Sequence, residues 1–306
     1  MSQALLRFDH VNKFYGQVLG LSDFSLEFQG GVVGLLGRNG AGKTTFIRLA
    51  SGMIQPDLGD VYVMGEKPRH ATRIRSQIGV CLELDHFYES MSGLKWVHLM
   101  ARLSGVSRAR AREASKEMIE LVGMSEKANK RIDSYSKGMR QRIKLAAALV
   151  HDPAVLLLDE PLTGLDPVGR YEMVELIREL GEAGRGVLVS SHVLAEVEMM
   201  TDQLFLLHQG RLMAEGSVEQ IRDQMDDQPR QVMIQSPQAR ELAGKLLDRA
   251  LVDGVRVGEG EVDVKFRDGD LFYRTLTELG TEFEIGAILS MDSDLEAVFD
   301  YLVGGA

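Results

Sequence analysis

The sequence predicts an α/β fold: a core sheet that is largely parallel, a small antiparallel sheet beside it, and a small α+β unit at the end. Three observations predict it. Four short apolar runs recur, "GVVGLLG", "AVLLLDE", "RGVLVSSH" and "DQLFLLHQG". Runs of that length read as strands buried on both faces, as in parallel sheets. Between them lie stretches with helical spacing, and alternating strands and helices build α/β layers. Lastly, the character of the chain changes near residue 226.

The first elements differ from the core. "LLRFDHVNKFY", "LSDFSLEFQG" and "GDVYVMGE" alternate apolar with polar residues and are separated by turns, so they read as antiparallel strands. Helices are expected over Thr44 to Ser51, Ser107 to Val122, Gly138 to Val150 and Val168 to Gly181. Ser107 is placed to cap the second, which should end near Gly123. The arginines of that helix read as a solvated face.

Asp226 to Pro229 read as a linker, so domains are expected at 1–225 and 230–306. Residues 229–306 hold 8 basic and 15 acidic groups and so carry most of the net charge of −10. The tail reads strand (231–235), helix (238–249), strand (252–258), strand (261–267), helix (270–279), strand (283–290) and helix (294–303). That βαββαβ order is ferredoxin-like. Asp292 and Asp294 lack the glycine and spacing of a calcium loop and read as a helix start.

Composition excludes several classes. One cysteine, Cys81, makes neither an intrachain disulfide nor a thiolate zinc cluster. The acidic balance argues against a dominant nucleic-acid footprint. No apolar run approaches a membrane span, and the start lacks the apolar core of a signal peptide, so a cytoplasmic location is expected.

Two motifs carry chemistry. "GRNGAGKTT", Gly37, Arg38, Asn39, Gly40, Ala41, Gly42, Lys43, Thr44 and Thr45, follows an apolar strand and opens a helix. That context defines a phosphate-binding loop: glycines let the backbone approach phosphate, Lys43 reaches the β- and γ-phosphates, and Thr44 ligates Mg²⁺. "VLLLDE" ends a strand in two carboxylates, where open α/β sheets place their ligands. Asp159 fits the metal-holding acid, and Glu160 is placed to orient or deprotonate an attacking water. A strand-end acid is more often a helix cap, and Pro161 follows; two in a row behind such a loop favour chemistry.

With these motifs the sequence resembles the ATP-binding subunits of ABC transporters, over about residues 4–225. The resemblance implies a P-loop ATPase with a helical subdomain at about 84–145. It implies that Tyr15 in "NKFYG" stacks on adenine, that Ser136 and Gly138 in "YSKGMRQR" form a signature loop, that Asp166 in "LTGLDP" is the D-loop acid, and that His192 contacts the γ-phosphate. Glu83 stands where the family often has Gln; it can still hold water or a cation, with an added charge beside Mg²⁺. Lys137 and Met139 stand where glycine and glutamine are common, and similar loops serve exporters with separately encoded permeases. The implied engine is a head-to-tail homodimer with ATP and Mg²⁺ between copies, driving a membrane permease docked on the helical subdomain. "HFYESMSGLKWVHLM" is apolar enough for a docking groove or for core packing, and the sequence leaves both open. The C-terminal domain is expected to pair or regulate subunits.

Two other readings compete. A soluble ATPase of this type acting on nucleic acid or ribosomes would carry two motif sets, a long coiled coil or zinc-binding inserts, none of which is seen. A module that binds ATP without turnover is opposed by Lys43, Asp159, Glu160 and His192.

Overall fold

The computed structural model describes residues 4–223, 230–249 and 252–290. The expected linker at 226–229, the helix at 294–303 and Asp292 and Asp294 lie outside the described residues. The chain divides into two compact units, 1–218 and 219–306, so the division falls before the 225/230 boundary expected from composition.

In the first unit the N-terminal alternation becomes an antiparallel sheet of β1 (Leu6–Tyr15), β2 (Val18–Phe28) and β4 (Leu58–Val63), in the order β2-β1-β4. Between β2 and β4 come β3 (Gly31–Leu36) and α1 (Lys43–Ala50). After β4 come the short α2 (Thr72–Arg75), β5 (Ile78–Cys81), α3 (Gly93–Leu103), α4 (Arg108–Leu121) and α5 (Lys137–Leu149). The unit continues with β6 (Val155–Asp159), α6 (Pro167–Glu182), β7 (Gly186–Ser191), α7 (Leu194–Glu198), β8 (Gln203–His208) and β9 (Arg211–Ser217), and α8 (Val218–Asp223) follows.

The four apolar runs are β3, β6, β7 and β8, at the centre of a six-stranded sheet ordered β5-β6-β7-β3-β8-β9. Every pair is parallel except β8 with β9. Full burial on both faces explains the unbroken Val/Leu runs. Helix α1 is covered on two sides: Phe46 stacks on Phe8 of β1 at 4.4 Å, while Ile47 belongs to the core formed with Leu35, Leu157 and Leu188. The loop ahead of α1 is thereby fixed to a rigid support.

Helices α3, α4 and α5 pack together away from the small sheet, around Val97, Ala101, Ala111, Ile119 and Ile143. Ser107 caps α4 by accepting from Arg110 N, and Gly123 follows the helix at φ +68°, as the sequence suggests. Arg110 is exposed and pairs with Glu117 at 2.7 Å, a solvated ion pair.

The second unit contains β10 (Arg230–Gln235), α9 (Ala239–Asp248), β11 (Gly254–Val257), β12 (Glu261–Phe266), α10 (Gly269–Leu279) and β13 (Ile288–Ser290). Its sheet runs β11-β12-β10-β13 with every pair antiparallel, the ferredoxin-like order. The strand expected over 283–290 is shorter than its apolar content suggests. Phe283 and Ile285 pack against the core from a loop, and pairing begins only where Gln235 bonds Ala287 and Gly286.

Candidate active site

In the phosphate loop two glycines leave no room for a side chain and a third takes a left-handed conformation with open space around it. A Cβ on Gly37 would sit 2.6 Å from the Leu207 carbonyl oxygen. Gly42, at φ +111°, caps α1 and would clash with the Gly20 carbonyl oxygen at 2.8 Å; Gly40 is at φ +84°. Lys43 folds back inside the loop, its Nζ donating to Gly37 O at 2.6 Å. With no acidic residue in the first turn of α1, the helix N-terminus and the loop amides present partial positive charge.

The carboxylates arrive on β6. Register pairs Asp159 with Ser190 of β7. Ser190 Oγ donates to Asp159 Oδ1 at 2.6 Å and Thr44 Oγ1 to Asp159 Oδ2 at 2.9 Å. Thr44 and Asp159 therefore offer two hard oxygens about one octahedral edge apart for a metal–oxygen bond of roughly 2.0–2.1 Å, which fits Mg²⁺. Among the described residues no group of three His, Cys, Asp or Glu could hold a metal without other ligands.

Glu160 leaves the strand at φ +48°, a left-handed conformation unusual for a residue with a side chain. Its backbone is held on both sides. The N–H donates to Ser190 O at 3.2 Å and Oγ at 3.1 Å, and the carbonyl accepts from Thr163 N at 3.2 Å and Gln141 Nε2 at 3.5 Å. The kink turns the carboxylate toward Lys43 Nζ, 3.4 Å away, and His192 Nδ1, 3.0 Å from both oxygens. With Nδ1–H donated to Glu160, Nε2 of the neutral His192 ring is an acceptor, and it turns donor only in the imidazolium form.

One cavity of about 460 Å³ is lined by Lys43, Thr44, Asp159 and Glu160, which Ser190 and His192 touch from outside its lining. Its walls include Tyr15, Glu83, Asp159, Glu160 and the loop from Arg38 to Thr45. Tyr15 ends β1, half-exposed, with its ring against Gly20 and the Lys13 ammonium 5.8 Å from the ring centroid. Glu83 is exposed on the loop after β5.

Residues 21–163 match the ABC transporter family. The daunorubicin/doxorubicin resistance ATP-binding protein of Streptomyces peucetius is 32% identical over 299 residues, covering 95% of this chain and 90% of that one. The chain belongs to the ATP-binding proteins of ABC transporters. An uncharacterized ABC transporter ATP-binding protein of Nostoc is 39% identical over 208 residues, 67% of this chain. The match spans 62% of that relative, less than two thirds of its length. A solved ATP-binding subunit of an ABC transporter superposes with a TM-score of 0.66 at 29% identity, over 72% of this chain and 93% of that chain.

Four residues that the resemblance to ABC ATP-binding subunits singles out do not line the cavity: His192, which reaches it only through Glu160, and Ser136, Gly138 and Asp166. Ser136 caps α5, accepting from Met139 N at 3.3 Å. Gly138 lies against Leu165 and Gly164 of the "LTGLDP" turn. Asp166 caps α6, accepting from Gly169 N at 2.8 Å. Lys137 turns its aliphatic stem across Gly164: a Cβ there would overlap Lys137 Cγ, Cδ and Cε, and Gly164 is also at φ +80°.

Sequence reasoning passed over two supports of the site, Ser190 and Gln141. Ser190 stands just before the "SH" that ends an apolar strand, and a fully buried hydroxyl in such a run signals a polar neighbour across the sheet. Gln141 is buried in the first turns of α5, where its spacing looks like that of any polar residue.

Proposed function

We propose that this chain is the ATP-hydrolysing subunit of an ABC transporter, working as a head-to-tail pair and driving a separate membrane permease, in the direction of export. The observation that carries the reading is a pair of contact networks that meet one cavity through Lys43, Thr44, Asp159 and Glu160: Thr44–Asp159–Ser190 and Lys43–Glu160–His192.

ATP enters with its adenine on Tyr15 and its phosphates in the loop from Gly37 to Thr45. Lys43 then meets anionic phosphate oxygens that compete with Glu160 for its ammonium. Glu160 is left to His192 and the attacking water, and it orients that water and accepts its proton as the terminal phosphate departs. Thr44 and Asp159, with Glu83 beside them, would hold Mg²⁺, which neutralises charge developing on the phosphates. His192 keeps Nδ1–H on Glu160 and, as the imidazolium, donates Nε2–H to the terminal phosphate. Ser136, Gly138 and the N-terminus of α5 would face the nucleotide held by the second copy, with Asp166 shaping the neighbouring turn.

In this reading residues 1–225 are the ATPase domain, 84–145 its helical subdomain, 226–229 a linker and 230–306 a domain that pairs or regulates subunits. A groove of about 420 Å³ between α3 and α4, lined by Met91, Leu94, His98 and Leu99 among others, suits a permease loop. Among the described residues no helix is long and apolar enough to cross a membrane. The chain would therefore lie on the cytoplasmic membrane face through the permease. The near full-length likeness to a drug-resistance protein supports export, and the net charge of −10 supports no nucleic-acid partner.

The test is Glu160→Gln. ATP binding and ATP-dependent pairing, followed by size-exclusion chromatography, should persist, while turnover falls by on the order of a hundredfold or more. Unchanged turnover removes Glu160 from its role.

A further inference from the structure

The loop that carries Glu83 is gripped by the same helix that carries Ser136. Residues 82–91, between β5 and α3, form neither helix nor strand. Lys144 of α5, its side chain 11% exposed, places Nζ 3.0 Å from Leu82 O, 2.8 Å from Glu83 O and 3.1 Å from Asp85 Oδ1. Three acceptors match the three protons of an ammonium. One turn earlier Arg140 clasps Glu89 with both terminal nitrogens, at 2.6 and 2.7 Å, and lies 3.5 Å from Asp85. Its guanidinium sits 5.8 Å from the Phe87 ring centroid.

This grip answers an electrostatic difficulty. Glu83, Asp159 and Glu160 line one cavity, so a third carboxylate is repelled by the other two. Glu83 is exposed already, and a free loop would carry it away from the cavity altogether. Lys144 opposes that by holding the loop through its backbone carbonyls, which leaves the Glu83 side chain free to work. An apolar residue at 144 would strip those carbonyls of their donor and Asp85 of its countercharge.

We propose that Lys144 is a positioning residue for Glu83, an assignment that rests on the function proposed above. Ile143, Leu145, Ala146, Ala148 and Leu149 bury the apolar side of the same helix, which fixes the base from which Lys144 reaches the loop.

The chain has one tryptophan, Trp96, and its ring packs 5.3 Å from Phe87 and 5.9 Å from Tyr88 of this loop. Its emission reports the loop directly. In the full-length protein, Lys144→Met should raise acrylamide quenching of Trp96 and lower kcat by on the order of tenfold, with KM for ATP within about twofold. Lys144→Arg should restore most of both. In a Glu83→Ala background, Lys144→Met should change kcat little, because the group it positions is gone. Unchanged quenching, or an equal loss of kcat in both backgrounds, overturns the assignment. Should Lys144→Met fail to fold, Lys144→Gln keeps a donor without the charge and is read the same way. The quenching comparison needs no hydrolysis, so a wild-type protein without turnover would sink the proposed function and still leave the anchor decided.

Discussion

Lys43 Nζ lies 3.4 Å from Glu160 Oε1, and both side chains are only 7% exposed. A buried pair of this kind is costly to break from one side, because the remaining charge keeps no full partner. Lys43→Met should therefore lower stability in the absence of nucleotide by on the order of 2 kcal/mol, softened by the His192 contact. Lys43→Met combined with Glu160→Gln should recover much of that loss. Urea unfolding of the four proteins checks the cycle; additive losses would show that the pair is not coupled.

Ser190→Ala removes the 2.6 Å hydrogen bond to Asp159 and the hydroxyl that meets the Glu160 N–H. Stability should fall by about 1–2 kcal/mol, the usual cost of an orphaned buried partner. The Mg²⁺ concentration needed for half-maximal turnover should rise, since Asp159 loses the bond that orients it. A magnesium titration at saturating ATP reads this, and an unshifted midpoint would count against the orienting role.

Gly20→Ala should weaken ATP binding without unfolding the protein. The added Cβ would lie 2.9 Å from Tyr15 Cε2, and Tyr15 is exposed enough to swing aside. Stability should stay within about 0.5 kcal/mol of the parent. Fluorescent-nucleotide titration should show a loss approaching that of Tyr15→Ala, while Tyr15→Phe binds normally. Equal affinity in Gly20→Ala and the parent would separate Tyr15 from the nucleotide.

His151 should make the protein acid-sensitive above the carboxylate range. Burial pushes its pKa below the ordinary histidine value of 6.5, against smaller upward pulls from the Ile78 carbonyl and Asp152. Nε2 lies 3.1 Å from Ile78 O, and Nδ1 is buried with no hydrogen-bond partner. A proton on Nδ1 would be buried and unpaired. The neutral ring is thus favoured in the fold, so stability is full above about pH 6.5 and declines as pH falls toward the depressed folded value. Melting temperatures from pH 7.5 to 5 should fall for the parent and fall less for His151→Gln. Parallel curves would assign the acid loss to other groups.

Much of this was legible in the sequence because its signals are local. The buried strands announce themselves as unbroken Val/Leu runs, and the phosphate loop by glycines at fixed offsets from Lys43. What was not legible depends on neighbours far apart in the chain. Ser190 supports Asp159 only because β6 and β7 are parallel neighbours in one particular register. Lys144 reads as one more helix-surface cation until α5 is seen beside the loop after β5. The last strand was overdrawn because Phe283 and Ile285 bury themselves from a loop, and burial without pairing looks in sequence like a strand. The kink at Glu160 has no sequence signal, since nothing in "LLLDEP" marks a left-handed residue.

The seat of Lys137 on Gly164 makes two separate loops a matched set, like a key cut for one lock. A side chain at Gly164 would be strained by its φ of +80° in any relative, and in this chain it would also have to displace the Lys137 stem. Exchanging one loop without the other would therefore disturb a contact that exchanging both keeps. Moving the "SKGM" segment alone sets a long side chain against an occupied turn, and moving the "LTGLDP" turn alone leaves Lys137 without its seat.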